Sequence, residues 1–223
     1  TGGSGGSRAR RAGGGASLRN TRTSGGGTVS VTPNDPPERL PMDTADEPVF
    51  GDLAGYDWAA EAIEALYNEG IISGRAEGVY APADNITRSE FVKLVVLAFG
   101  ISDSGGRMPF TDTEEGSWDC EYIRAAYNSG IINGISADKF GCTLPISRQD
   151  MAVIIQRAAG IADVDTDTAE KFADDWSIKN YAYNAAYALK SSGIMVGDEN
   201  NMFNPNNTAT RAEAAKVIYA AAM

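Results

Sequence analysis

The apolar positions of this chain keep a helical period only beyond residue 50, and there the pattern returns three times. In "DWAAEAIEALYNEG", Ala59, Ala62, Ile63 and Leu66 fall three and four residues apart, which predicts a helix that stops at Gly70. Behind Thr87, the residues Phe91, Val92, Leu94, Val95 and Leu97 predict a second helix. The stripe of the first helix recurs at Ile123 with Ala126 and at Ala186 with Leu189. Gly70, Gly130 and Gly193 each follow a last helical turn, where a residue in the left-handed region ends a helix at little cost. An apolar pair comes next: Ile71-Ile72, Ile131-Ile132 or Ile194-Met195. In the loop that follows, Gly78, Asp138 and Asn201 are equivalent, and these residue types predict a tight turn. Tyr80, Phe140 and Phe203 then place an aromatic at one shared position, expected to pack over that turn.

The register is strict. Phe50, Asp52, Trp58, Gly70, Gly74, Pro82 and Arg88 become Phe110, Asp112, Trp118, Gly130, Gly134, Cys142 and Arg148 after 60 residues. The third copy gives Phe172, Asp174, Tyr181, Gly193, Gly197, Pro205 and Arg211, with one extra residue near its start. The fold class expected is all-α: three tandem helix–loop–helix repeats, over residues 49–105, 106–165 and 166–223. One such unit buries too little surface to be stable alone. Three with matching apolar faces can close into a pseudo-threefold bundle, or spindle, of six main helices. An open solenoid is the alternative, disfavoured because the terminal units lack polar caps. Residues 1–48 run from Gly, Ser and Arg to a Pro-rich stretch and read as a disordered linker.

The second helix of each copy opens on a cap: Thr87 with Glu90, Ser147 with Asp150, Thr210 with Glu213. Arg88, Arg148 and Arg211 then become first helical residues, where a cation meets the positive end of the helix dipole. Three arginines at equivalent unfavourable places point to something negative in front of them. That is either an anionic ligand or a carboxylate of a neighbouring repeat. Asp52, Asp112 and Asp174 read as caps or turn-formers rather than as acids in catalysis.

Composition narrows the function. Of 223 residues, 43% are hydrophobic, and the net charge is −11. Residues 1–33 hold Arg8, Arg10, Arg11, Arg19 and Arg22 without an acid, whereas residues 49–223 hold 25 acidic against 13 basic residues. An acidic body argues against nucleic acid as the main partner. No run approaches a membrane span. Histidine is absent, which removes the commonest general base and metal ligand. No carboxylate pair stands out beyond the repeated ones, so no enzyme activity, cofactor or metal site is expected. Asp163, Asp165 and Asp167 mimic the first spacings of a calcium loop, but Thr168 and Asp174 occupy positions that need Gly and Glu. Cys120 and Cys142 both lie in copy two. Either they form a disulfide, closing a loop of about 22 residues and contributing ~3 kcal/mol, or they are two small buried thiols.

Taken together, the Phe-x-Asp start, the Gly-Ile-Ile-x-Gly turn, the loop aromatic with Pro and the Thr-Arg-x-Glu helix start resemble the S-layer homology domain. The resemblance covers residues 49–223 and implies a non-covalent anchor to the bacterial cell wall, extracellular and monomeric, carrying a cargo domain on its N-terminal side. It implies that grooves between repeats bind an acidic secondary cell-wall polysaccharide, often bearing ketal-linked pyruvate. Carried over by position, Arg88, Arg148 and Arg211 meet the acidic sugar. Gly74, Gly134 and Gly197 form the ligand-side turn, and Trp58, Trp118 and Tyr181 take the aromatic position. The free N–H groups of a helix N-terminus would assist the arginine. Core packing is the competing role for the three aromatics, and a positive φ is the expected reason for the three glycines. Copy two departs from the pattern at Ser147, Asp150 and Cys142, which favours Arg88 and Arg211 over Arg148. A surface-layer self-assembly module that binds itself rather than glycan is the alternative function.

Overall fold

The computed structural model describes residues 48–223. Apart from Pro48, the linker expected over residues 1–48 lies outside the described residues. Six α-helices follow in pairs: α1 (Asp57–Asn68) and α2 (Arg88–Ala98), α3 (Cys120–Asn128) and α4 (Arg148–Ala158), α5 (Asn180–Ser191) and α6 (Arg211–Ala222). The extra residue of copy three is taken up in a single 3-10 turn, Asp175–Ser177. Among the described residues there is no β-strand, only isolated bridges. No helix among them is long and apolar enough to cross a membrane.

Each second helix starts where its cap says it should. Thr87 and Thr210 make reciprocal capping boxes with Glu90 and Glu213. Ser147 accepts from the Asp150 N–H, but Asp150 does not reach back. Each first helix stops at a glycine with positive φ: Gly70 at 71°, Gly130 at 74° and Gly193 at 73°. The turn expected one step later uses the left-handed region at Gly78 and Asn201, while Asp138 does without it.

The packing is cyclic. Each first helix lies on the second helix of the preceding repeat: α3 on α2, α5 on α4, and α1 on α6. The three second helices α2, α4 and α6 touch one another at the centre. At the hub, the residues just before the three caps close a ring of backbone hydrogen bonds. Ile86 donates to Ala209, Ala209 to Ile146, and Ile146 to Ile86, at 3.1, 3.0 and 3.0 Å. A head-to-tail contact that closes after three steps leaves no open end, which is why no polar end caps are needed. Each repeat adds an aromatic pair to the core: Phe50 with Tyr80, Phe110 with Phe140, Phe172 with Phe203. The three loop aromatics are fully buried over their turns.

Candidate functional site

The loop that ends at Tyr80, Phe140 or Phe203 is fixed from both sides. Within its own repeat an aspartate accepts at least two backbone N–H groups, and Asp112 takes a third from Cys142. Asp52 takes those of Tyr80 and Ala81, Asp112 those of Phe140 and Gly141, and Asp174 those of Phe203 and Asn204. Burial alone would push the Asp52 and Asp112 carboxyls up. The backbone donors outweigh it and hold both below the usual carboxylate range.

From the other side comes the arginine of the preceding repeat. Arg88 Nε donates to the Phe140 carbonyl at 2.9 Å, Arg148 Nε to Phe203 at 3.0 Å, and Arg211 Nε to Tyr80 at 2.9 Å. Each guanidinium also stacks on the ring of the residue it holds, 4.7, 5.7 and 4.5 Å from the centroid. Part of what faces the three cations is therefore a carbonyl. Arg88 and Arg148 add carboxylates of the next repeat, Asp150 at 3.0 Å and Glu213 at 3.4 Å. Arg211 has a second carbonyl, Ser73, and, among the described residues, no carboxylate in salt-bridge range. Burial depresses the pKa of Arg88 and Arg211, although a guanidinium stays charged throughout.

One expectation is overturned here. The first three N–H groups of α2, α4 and α6 are not free for an anion. Arg88 N donates to Leu144 O, Ser89 N to Cys142 O and Glu90 N to Thr87 Oγ1. The same set recurs at Arg148, Gln149 and Asp150 and at Arg211, Ala212 and Glu213. Each helix terminus is occupied by the next repeat's loop, so these first-turn residues can offer the grooves their side chains but not those N–H groups.

The glycines also have a different reason. Gly74, Gly134 and Gly197 do not have positive φ. A Cβ on Gly134 would lie 2.4 Å from the Ser136 carbonyl oxygen and 2.5 Å from that of Lys139. On Gly74 it would lie 2.6 Å from the Val79 carbonyl oxygen. The loop folds back over these positions too closely for a side chain.

The sequence-predicted residues come together across repeats rather than within one. In the first groove, of about 220 Å³, Arg211 of copy three meets Gly74 and Glu90 of copy one and Trp118 of copy two. In the second, about 440 Å³, Arg88 of copy one meets Gly134 and Asp150 of copy two and Tyr181 of copy three. In the third, about 230 Å³, Arg148 meets Gly197 and Glu213, and Trp58 does not line it. Trp58, Trp118 and Tyr181 are 49%, 55% and 54% exposed, which overturns core packing for this position. Tyr181 donates to Asp150 at 2.6 Å; burial first, and then that bond, raise its pKa.

The grooves differ in charge. Arg211, Arg75 and Lys93 face Glu90 in the first, and Arg88, Arg157 and Lys179 face Asp150 in the second. In the third, Arg148 stands against Asp198 and Glu213. Sequence reasoning missed the residue after the loop glycine, which is Arg75, Ile135 and Asp198 in the three copies. Aligning the loops by that glycine would have shown it.

Cys120 and Cys142 are both free and buried, a correction to the disulfide alternative. Cys142 packs in the core, while the Cys120 sulfur lies 3.7 Å from the Arg124 guanidinium one turn along α3. Burial pushes the Cys142 thiol up to about 11, so it stays protonated at neutral pH. Among the described residues no cluster of three metal-ligating side chains occurs, and Asp163 instead accepts from Gln156 at 2.9 Å.

The model of the S-layer homology domain family matches residues 49–92, 109–152 and 171–215. An amylopullulanase of Thermoanaerobacterium thermosulfurigenes is 34% identical over 173 residues, 76% of this chain and 9% of that protein. The exoglucanase XynX of Acetivibrio thermocellus is 33% identical over 76% of this chain and 16% of its own length. A surface-layer 125 kDa protein of Lysinibacillus sphaericus is 30% identical over 76% of this chain and 14% of its own length. The chain thus spans less than a fifth of each of these relatives.

Proposed function

The chain belongs to the S-layer homology domain family, and on that premise we propose that it tethers a larger protein to the bacterial cell wall by gripping an acidic wall polysaccharide. Its place is the cell surface. In this reading repeats over 49–105, 106–165 and 166–223 form one anchoring module without catalysis of its own, and the cargo lies on the N-terminal side. Enzyme relatives matched through 9% and 16% of their lengths, beside surface-layer relatives, fit a module shared among different cargos.

The observation that carries the glycan reading is the convergence of an arginine, a close-approach glycine and an exposed aromatic from three different repeats. It occurs in full twice, around Trp118 and around Tyr181. An exposed ring offers an apolar face for a sugar to stack on. Arg75 and Lys93, or Arg157 and Lys179, supply charge for a ketal carboxylate, with the buried arginine behind them. Two such grooves on one rigid body meeting a repeating polymer raise the effective concentration of the second contact.

The test is co-sedimentation with wall sacculi of the organism that carries the chain, before and after acid release of the secondary polysaccharide. Trp118→Ala and Arg75→Ala suit it, because both side chains are exposed and outside the hydrogen-bonded hub. Binding should vanish on stripping and weaken in both variants. Equal binding to stripped walls would overturn the glycan reading, and sedimentation without walls would favour self-assembly.

A further inference from the structure

The second groove runs on further than the first. Beyond Tyr181 and Arg157 a further hollow of about 470 Å³ opens between α4 and α5, and these two residues line both parts. The first groove has a hollow at the equivalent place between α2 and α3, about 370 Å³, yet the two share no lining residue. The reason lies in two substitutions between copies. Lys93 reaches over the Trp118 and Tyr122 rings, 5.7 and 5.5 Å from their centroids, and Tyr122 borders the far hollow. The corresponding residues at the second groove are Val153 and Ala185, too short to make that wall.

The chemistry of the outer part differs as well. Around the first groove Val96, Leu97, Ile101 and Tyr122 stand beside two carboxylates, Glu121 and Asp103, the latter paired with Arg124, and among the described residues no side-chain amide lines it. Around the second it carries Gln156, Asp163 and Asn184 beside Arg157. One carboxylate and one guanidinium leave no net charge, while amide and carboxylate oxygens with amide N–H groups suit vicinal hydroxyls. Asn184 is anchored to Val164 through both its donor and its acceptor, so this edge of the cleft is held in place.

We propose that the cleft around Tyr181 is a two-subsite glycan channel: the Arg88 side takes an acidic sugar, and the Gln156–Asp163 side takes the next, uncharged sugar of the same chain. The inference rests on the glycan reading. It adds that this groove recognises consecutive residues of the polymer, where the first groove takes a single one.

The test uses the intact chain and a ladder of oligosaccharides, released by mild acid from the same walls and separated by length. Affinity is read by calorimetry for wild type, Gln156→Ala and Asp163→Ala. Neither residue lines the Arg88 side, and Asp163 is exposed. Wild type should bind longer fragments about tenfold more tightly than the shortest acidic fragment, as expected for one or two added hydrogen bonds. Both variants should lose most of that gain and keep the affinity for the shortest fragment. Thermal melting checks that the variants remain folded. The channel is overturned, with the glycan reading intact, if affinity does not rise with length or if the variants keep the full gain. If no fragment binds wild type, both fall together.

Discussion

The grooves around Arg211 and Arg148 are built from equivalent residues and are electrically opposite. Behind the loop glycine of the first stands Arg75, 2.5 Å from Glu90. That pairing occupies the cap carboxylate and leaves Arg211 without one. In the third groove the same place is Asp198, held below the usual carboxylate range by the Met202 N–H above all, so it stays ionised. Glu213, with no arginine after the glycine to engage it, turns to Arg148 instead. One position per loop thus separates a groove open to an anion from one that carries two carboxylates of its own. The lesson is that threefold repetition secures the scaffold, while departures from it decide which faces bind.

The largest expected effects fall on the arginines, and they are structural. Arg211 is buried and holds two carbonyls of copy one. Truncation to alanine strands both, and the loss should be about 3 kcal/mol. Arg148 is less buried, holds one carbonyl, and its ion pair is long at 3.4 Å, so Arg148→Ala should cost about 1 kcal/mol. Urea denaturation midpoints compare the two. Equal losses would mean that the arginines do not act through these carbonyls. Wall binding lost in Arg211→Ala therefore reports on a ligand only in protein whose melting shows it to be folded.

Next come the loop glycines. Added Cβ atoms would meet backbone at 2.4 Å in Gly134, 2.6 Å in Gly74 and 3.0 Å in Gly197. Backbone cannot swing aside as a side-chain tip can, so Gly134→Ala and Gly74→Ala should each lose about 2 kcal/mol and Gly197→Ala about 1 kcal/mol or less. Melting temperatures should follow that order. A reversed order would show that the loop of copy three is the more tightly folded.

Charge exchange sharpens the contrast at smaller cost. Asp198→Arg should give the third groove a cation where it now has an acid, and Arg75→Asp should do the reverse in the first. With acid-released wall polysaccharide, the first change should raise the number of occupied sites and the second should weaken binding about tenfold. Circular dichroism should stay unchanged in both, since neither side chain touches the hub. No change in stoichiometry or affinity would remove the residue after the glycine as the determinant.

Much of this was legible in sequence, for reasons that can be named. The repeats, helices, caps and terminating glycines rest on local spacing, which a chain displays openly. The arginines are legible as misplaced, and two of the three do face a carboxylate. Their partners are not legible, because the Phe140 carbonyl lies 52 residues from Arg88, and that of Tyr80 lies 131 from Arg211. A periodic sequence says that loops and helices match, but not whether a helix meets its own loop or the next one. The same gap hid the occupied helix termini. The loop glycines need space rather than an unusual φ, and that too depends on where the chain returns. Trp118 and Tyr181 line grooves and Trp58 does not, a difference that neither periodicity nor likeness to a family displays.

The smallest effect separates the first groove from the others by acidity. Burial alone would push the Glu90 carboxyl up; the Arg75 guanidinium and the Thr87 cap outweigh it and hold it below its ordinary range. A depressed folded-state pKa means that the stabilisation is complete above the unfolded value, about 4.3, and is lost as pH falls through the lower folded one. Arg75→Ala should therefore move Glu90 back toward its ordinary value and shift acid unfolding to slightly higher pH. Circular dichroism followed between about pH 5 and 2 reads the shift. In a Glu90→Gln background the same substitution should leave the midpoint unmoved, because the group that titrates is gone. A shift that persists there would place the effect on Asp84, 3.9 Å from Arg75, and would mean that Arg75 is not what keeps Glu90 from turning to Arg211.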